Sequence, residues 1–198
     1  MKPINLAVLI SGAGRTFQNL IDCIERGELA AKIPLVISSV EDAKGIDIAK
    51  RQGVPTRIVS KKQFSAVENF SNAITRHLDT AKPDLVLMAG FIHLYRIPDK
   101  YLGRVINIHP ALLPQFGGKG FYGRKVHEQV LKSGAKESGC TVHFADNVYD
   151  HGKIILQRRI PILSNDTPDT LAERVFREEC IAYPEAIRII SGEMAHRS

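Results

Sequence analysis

"INLAVLISGAGRTFQNL", residues 4–20, sets a seven-residue apolar run against two glycines and then a helical pattern. The run is apolar on both faces apart from Asn5, as expected of a parallel strand covered above and below. Gly12 and Gly14 turn the chain, and helical spacing starts at about Thr16. A strand, a tight turn and a helix in that order offer backbone N–H groups and a positive helix end to an anion. Arg15 adds a fixed charge there. The dinucleotide fingerprint needs a third glycine at position 17, where Phe17 stands, and Glu41 comes later than the usual ribose-binding acid. The loop therefore suits a phosphate monoester better than a dinucleotide. A turn that needs glycine for steric reasons alone is the competing reading.

Outward from this stretch, apolar runs alternate with helical patterns. Strands are expected at residues 33–39, 55–60, 84–90 and 104–109, with helices over 16–29, 43–53 and 64–81, where Gly27 and Gly53 mark stops. Alternation of this kind predicts an α/β fold with a doubly wound, mostly parallel sheet. After "NIHPALLP" (107–114) come a glycine-rich loop, "QFGGKGFYG" (115–123), and a short helix at 124–134. Two further strands, 139–147 and 152–163, are joined through "VYDHG" and form an antiparallel extension. The last helix is predicted to begin at Pro168, capped by Thr167. Its apolar stripe runs through Leu171, Val175, Ala182, Ala186 and Ile189, with an interruption or bend near Pro184. This is the organisation of one domain over residues 1–198, in two halves: 1–105 for the nucleotide or phosphate, 106–198 for catalysis.

The bulk numbers bound the function. Of 198 residues, 44% are apolar and 24% charged, ordinary values for a globular protein with a sizeable core. No apolar run approaches the roughly 20 residues that span a bilayer, so no membrane partner is expected. Three widely spaced cysteines argue for a reducing cytoplasm rather than a disulfide framework. The net charge of +6 is spread along the chain without a nucleic-acid motif, which favours a small anionic substrate over nucleic acid.

Asn107 and His109 point the same way from one strand, and Pro110 and Pro114 stiffen the turn beyond it. In an open α/β sheet, ligands bind at the carboxyl ends of the strands, where His109 sits. If the loop holding Asp150 folds beside it, an amide, an imidazole and a carboxylate meet. An amide N–H stabilises an oxyanion, an imidazole moves a proton near neutral pH and a carboxylate orients it. That set suits transfer of an acyl-type group to an amine. His93, His109, His127, His143 and His151 lack close metal-ligand spacing and no cysteine pair forms a knuckle, so no metal is expected. His143 shares a strand face with Thr141 and Ala145, either supporting the site or packed in the core. Glu179 falls on the apolar stripe of the last helix, where a carboxylate is costly unless paired or facing a polar cleft.

These pieces, in this order, resemble the phosphoribosylglycinamide formyltransferase family, folate-dependent enzymes of purine synthesis. The resemblance covers nearly the whole chain and is most specific in "VLISGAGRTFQNLI" (8–21), "DLVLMAGFIHLY" (84–95), "INIHPALLP" (106–114) and "TVHFADNVYDHGKIILQ" (141–157). It implies a Rossmann-like formyltransferase fold and transfer of formyl from 10-formyltetrahydrofolate, as co-substrate, to the amine of glycinamide ribonucleotide, by a monomer or homodimer. It also implies that Asn107, His109 and Asp150 are catalytic. Gly12, Gly14, Arg15 and Thr16 would take the phosphate, and Glu179 the ribonucleotide. Ile92, His93, Leu94 and Tyr95, together with Asn107, Asp146, Asn147, Val148, Tyr149 and Asp150, would line the folate site. Arg15 and Thr16 replace the Ser-Asn pair usual in the family's loop; threonine keeps a hydroxyl and arginine adds charge. The rivals are a formyltetrahydrofolate hydrolase, a nucleotide-sugar or methionyl-tRNA formyltransferase, and a non-catalytic nucleotide-binding module. The tRNA enzyme normally carries a C-terminal domain, and the hydrolase an N-terminal one, for which no residues remain.

Overall fold

A computed structural model describes residues 3–195. The elements are β1 (Ile4–Ile10), α1 (Arg15–Glu25), β2 (Ala31–Ser38), α2 (Gly45–Arg51), β3 (Thr56–Ile58), α3 (Val67–Ala81), β4 (Leu85–Met88), β5 (Val105–His109), α4 (Arg124–Lys132), β6 (Glu137–Phe144), β7 (Ile154–Pro161) and α5 (Pro168–Ala195). The strands form one sheet in the order β3-β2-β1-β4-β5-β6-β7. β1 pairs in parallel with β2 and β4, β2 with β3, and β6 runs antiparallel to β7. The chain divides into two compact units, one ending at Ile106 and the other beginning at Asn107.

In the first unit, Leu6 through Ile10 have no exposed surface, the two-sided burial that a parallel strand between helices requires. α1 buries Phe17, Leu20, Ile21 and Cys23, and α3 buries Phe70, Ile74 and Leu78. β2 starts two residues earlier than its apolar run suggests and carries Pro34. From Asn5↔Lys32 to Ala7↔Leu35 the register of β1 against β2 gains one residue on β2, a bulge at the residue that cannot donate to a ladder. β3 is only three residues long and lies at the sheet edge.

α1 begins at Arg15, one residue earlier than expected, with Gly14 at its N-cap in the left-handed region (φ 73°). A Cβ at Gly14 would stand 2.6 Å from the Cα of Gly45, so the turn needs glycine both for its dihedrals and for its approach to α2. Gly12 is different. Nothing lies within 4 Å of a Cβ built there. Packing therefore explains one of the two glycines and leaves the other open to a ligand.

In the second unit, α5 starts as predicted: the Thr167 hydroxyl accepts the Thr170 N–H at 3.2 Å. The helix runs through Pro184 without a break, with the proline ring buried. The predicted stripe holds at Leu171, Val175, Ala182 and Ala186, but Ile189 is 42% exposed. Ile187 and Ile190 are buried instead. At 100° per residue Ile189 falls directly over Leu171, whereas Tyr183, Ile187 and Ile190 lie about 100–160° round from it, so towards its C-terminal end α5 turns a different face inward.

Candidate active site

The second unit brings Asn107, His109, His143 and Asp150 together. β5 presents Asn107 and His109 on one side, β6 presents His143, and Asp150 closes the following loop in a left-handed conformation (φ 52°). His109 is 3% exposed, and its Nε2 lies 2.8 Å from the Phe116 carbonyl oxygen. A carbonyl only accepts, so Nε2 carries the hydrogen and Nδ1 is left bare when the ring is neutral. That Nδ1 faces Asp150 Oδ2 at 3.5 Å. His143 Nδ1 is likewise 2.9 Å from the Phe144 carbonyl oxygen, which leaves its Nε2 to accept from the Asn107 amide nitrogen at 3.2 Å. The second amide hydrogen of Asn107 goes to Asp150 Oδ1 at 3.3 Å, and the Gly118 N–H donates to Oδ2 at 2.9 Å.

Burial lowers the His109 pKa below the ordinary histidine value; the facing Asp150 and the Phe116 carbonyl oppose this, and His143 adds to it. The ring is therefore neutral at neutral pH. For Asp150, burial works to raise the pKa, but His143, His109 and the Gly118 N–H outweigh it and keep the carboxylate ionised. A bare Nδ1 opposite a carboxylate is a place for one proton. The group as a whole offers N–H donors to an oxyanion and a proton site beside them.

Two partners in this site were not singled out from sequence: the Phe116 carbonyl and the Gly118 N–H, both main-chain atoms of the 115–123 loop. Only the density of glycine there hinted at a functional loop. A Cβ at Gly117 would fall 2.5 Å from Leu113 Cδ2 and 3.1 Å from the Asp150 Cβ, so a side chain there would have to displace Leu113 and ease the loop away from Asp150. His127 on α4 is also buried (4% exposed), with Nδ1 lacking a hydrogen-bond partner. Its pKa is pushed down to about 4 by burial and by nearby His109.

The remaining expected residues divide between the units. In the first, Gly12 to Thr16 form the mouth of α1. The Ser11 hydroxyl shares a 2.6 Å hydrogen bond with Ser39 and accepts the Ile92 N–H at 3.1 Å, so the ends of β1 and β2 and the segment after β4 are tied together. Ile92 and His93 line a cavity of about 690 Å³ with Lys61, Lys62, Glu41 and Asp42. His93 packs edge-on against Phe70 and Phe91. Burial lowers its pKa, with a further push from Lys61. Leu94 is half-buried, and Tyr95 is 1% exposed with its hydroxyl 2.9 Å from Thr75 Oγ1, so that its side chain belongs to the core. In the second unit, Asp146 accepts from His151 Nδ1 (2.7 Å) and the Val148 N–H (2.8 Å), shaping a loop in which Val148 is 58% exposed. Asn147 and Tyr149 are half-buried in the same loop, and Glu179 is half-buried on α5. Among the described residues no three His, Cys, Asp or Glu side chains are grouped to hold a metal ion. No helix there is long and apolar enough to cross a membrane.

The formyl transferase pattern matches residues 4–187. The trifunctional purine biosynthetic protein adenosine-3 of Drosophila pseudoobscura pseudoobscura is 39% identical over 196 residues, covering 97% of this chain and 14% of that protein. The chloroplastic phosphoribosylglycinamide formyltransferase of Arabidopsis thaliana is 37% identical over 191 residues, covering 95% of this chain and 65% of that one. This chain thus spans less than two thirds of the length of either relative. Among solved structures, glycinamide ribonucleotide transformylase 1 from Symbiobacterium toebii superposes with a TM-score of 0.89 at 37% identity, covering 96% of this chain and 89% of that one.

Proposed function

Because the chain belongs to the formyl transferase family, we propose that it transfers the formyl group of 10-formyltetrahydrofolate to the amine of glycinamide ribonucleotide in purine biosynthesis. The observation that carries this reading is the convergence of Asn107, His109 and Asp150 on one another. The names and coverage of its relatives point to the same substrates.

The folate supplies an electrophilic formyl carbon on a nitrogen leaving group. As the amine attacks, charge develops on the formyl oxygen, and donors aimed at that oxygen stabilise it. Asn107 supplies one such donor by giving up its 3.3 Å bond to Asp150, the longer of its two. His143 keeps hold of the other amide hydrogen and so fixes which way the amide faces. The attacking amine must lose a proton and the leaving nitrogen must gain one. The neutral His109 ring, with Asp150 behind its bare Nδ1, takes up that proton and returns it. The resulting imidazolium is stabilised by the carboxylate at Nδ1 while Nε2 keeps the Phe116 carbonyl, so it is the ring's positive charge, not a free N–H, that favours the developing oxyanion.

The phosphate of the ribonucleotide goes to the mouth of α1 at Gly12, Gly14, Arg15 and Thr16, and Glu179 holds the sugar or amine. The folate is held by Ile92 to Tyr95, largely through main-chain groups since Tyr95 is turned into the core, and by the loop from Asp146 to Asp150. Every member of the Asn107–His109–Asp150 group comes from one chain, so a monomer is sufficient and a homodimer is compatible. We place the protein in the reducing cytoplasm, as three widely spaced cysteines suggest.

The test is an assay of the purified chain with both substrates, following tetrahydrofolate and formylated ribonucleotide together. Stoichiometric formation of both, abolished in Asn107→Ala, is expected. Formate release without a formylated product would replace this reading by hydrolysis. No turnover, with the nucleotide still bound, would replace it by a binding module.

A further inference from the structure

β5 ends at His109, yet the carbonyl that holds the His109 ring belongs to Phe116, seven residues on. Something must fix the intervening turn, because its own residues form no helix or strand. The structure shows what does. The Thr141 hydroxyl on β6 donates to the Ala111 carbonyl at 2.7 Å and accepts the Leu113 N–H at 3.0 Å. Gln157, directly opposite Thr141 in the β6/β7 pair, donates to the same hydroxyl at 2.9 Å and to the Leu113 carbonyl at 2.9 Å. One oxygen thereby has its donor and both acceptor sites in use, and Thr141 has no exposed surface.

From this anchor the coupling runs by contact. Leu113 Cδ2 sits where a Cβ on residue 117 would be, so the Leu113 side chain sets how far Gly117 can sink. Gly117 in turn rests on the Asp150 Cβ, and its neighbours Phe116 and Gly118 carry the two main-chain groups that hold His109 and Asp150. A shift of the 111–113 turn moves both groups at once.

We infer that Thr141, gripped by Gln157, is a positioning residue for the His109–Asp150 pair: it pins the turn that brings the Phe116 carbonyl to His109 Nε2 and so decides which ring nitrogen faces the carboxylate. This deepens the formyl-transfer reading and rests on it for its effect on rate, but the ring's tautomer is observable without turnover.

Valine at 141 keeps the shape and removes the hydroxyl, leaving the Ala111 carbonyl and Leu113 N–H without their partner. Serine keeps the hydroxyl. Steady-state kinetics are combined with ¹⁵N NMR of the histidine rings and thermal melting for Thr141→Val, Thr141→Ser and Gln157→Leu. Misplacement of a reacting group by about 1 Å costs on the order of 100-fold in rate. Thr141→Val is therefore expected to lose about 10- to 100-fold in kcat, with KM for the ribonucleotide little changed, and to lose the Nε2–H signature of His109. Thr141→Ser is expected to stay within about threefold of wild type. If Thr141→Val does not fold, Gln157→Leu is read the same way and must also disturb the His109 signal. Unchanged ring tautomer and kcat in a folded variant would overturn the inference. So would a serine variant as impaired as the valine one. A shifted tautomer in a chain that shows no formyl transfer would sustain the positioning role and sink the proposed function instead.

Discussion

Replacing Asp150 by asparagine isolates the carboxylate charge with little change of shape. Asparagine is also the appropriate choice for the backbone, since residue 150 has φ 52° and asparagine tolerates the left-handed region where alanine is strained. The charge at stake is that of Oδ2, 3.5 Å from His109 Nδ1, with the two side chains only 10% and 4% exposed. At an effective dielectric of about 20, a full charge pair at that separation is worth about 5 kcal/mol. Each 1.36 kcal/mol of transition-state stabilisation is a factor of ten in rate. If the imidazolium exists only while the amine proton is in transit, kcat should fall about 10³-fold. KM for the ribonucleotide should hardly change, because its phosphate and sugar are assigned to other residues. Steady-state rates at saturating concentrations of both substrates measure the drop, and thermal melting confirms that the variant is folded. A kcat within tenfold of wild type would refute the idea that this carboxylate stabilises a transient positive ring.

The pH profile depends on the same pair. Burial, the largest influence on His109, holds its pKa below 6.5 despite Asp150, so kcat/KM should rise with pH along an acid limb centred below 6.5 and then level off. An acid limb at or above 6.5 would contradict it, and Asp150→Asn should move the limb lower still. Stability depends on pH through His127, whose folded pKa of about 4 lies below its unfolded value near 6.5. The unfolded chain binds the proton first, so this contribution is intact above pH 6.5 and is lost as pH falls towards 4. It amounts to at most about 3 kcal/mol, read as the loss in urea-unfolding free energy that wild type shows and His127→Gln does not. Gly14→Ala forces a Cβ to 2.6 Å from the Gly45 Cα in a left-handed backbone and should lower stability by about 1–3 kcal/mol, measured by melting. Glu179→Gln should raise KM for the ribonucleotide about tenfold while leaving kcat within a few-fold, by steady-state kinetics; unchanged KM would remove Glu179 from the substrate site.

Much of the fold was legible because its signals are local. The run at 4–10 and the glycine turn announce a covered strand feeding a helix, and the sheet places β1 between β2 and β4 accordingly. Thr167 and Pro168 announce the start of α5 by cap chemistry that needs no tertiary information. Legibility failed where a neighbour decided. Ile189 carries the same side chain as Ile190, and only the rotation of α5 over the sheet distinguishes the exposed one from the buried one. Of the interruption or bend expected near Pro184, the interruption does not occur, since burial of the ring and of Tyr183 and Ile187 around it outweighs one missing helical hydrogen bond.

The same division runs through the site. Asn107 and His109 can be paired from sequence because strand geometry alone puts residues two apart on one side. Asp150 enters only by supposing that a loop 43 residues from Asn107 returns to it, which the 3.3 Å bond bears out as geometry. The Phe116 carbonyl and the Gly118 N–H leave no trace in side-chain identity, because every residue but proline carries both groups. What the sequence does record is the space they need: Gly117 has no Cβ to hold the loop away from Asp150. Thr141 and Gln157 read as ordinary residues of a strand pair until the turn beside them is seen to hydrogen-bond to both. An active site whose side chains are aimed by main-chain atoms is therefore only half written in its reactive residues. The other half lies in small or hydroxylated residues that let the main chain approach and hold it there.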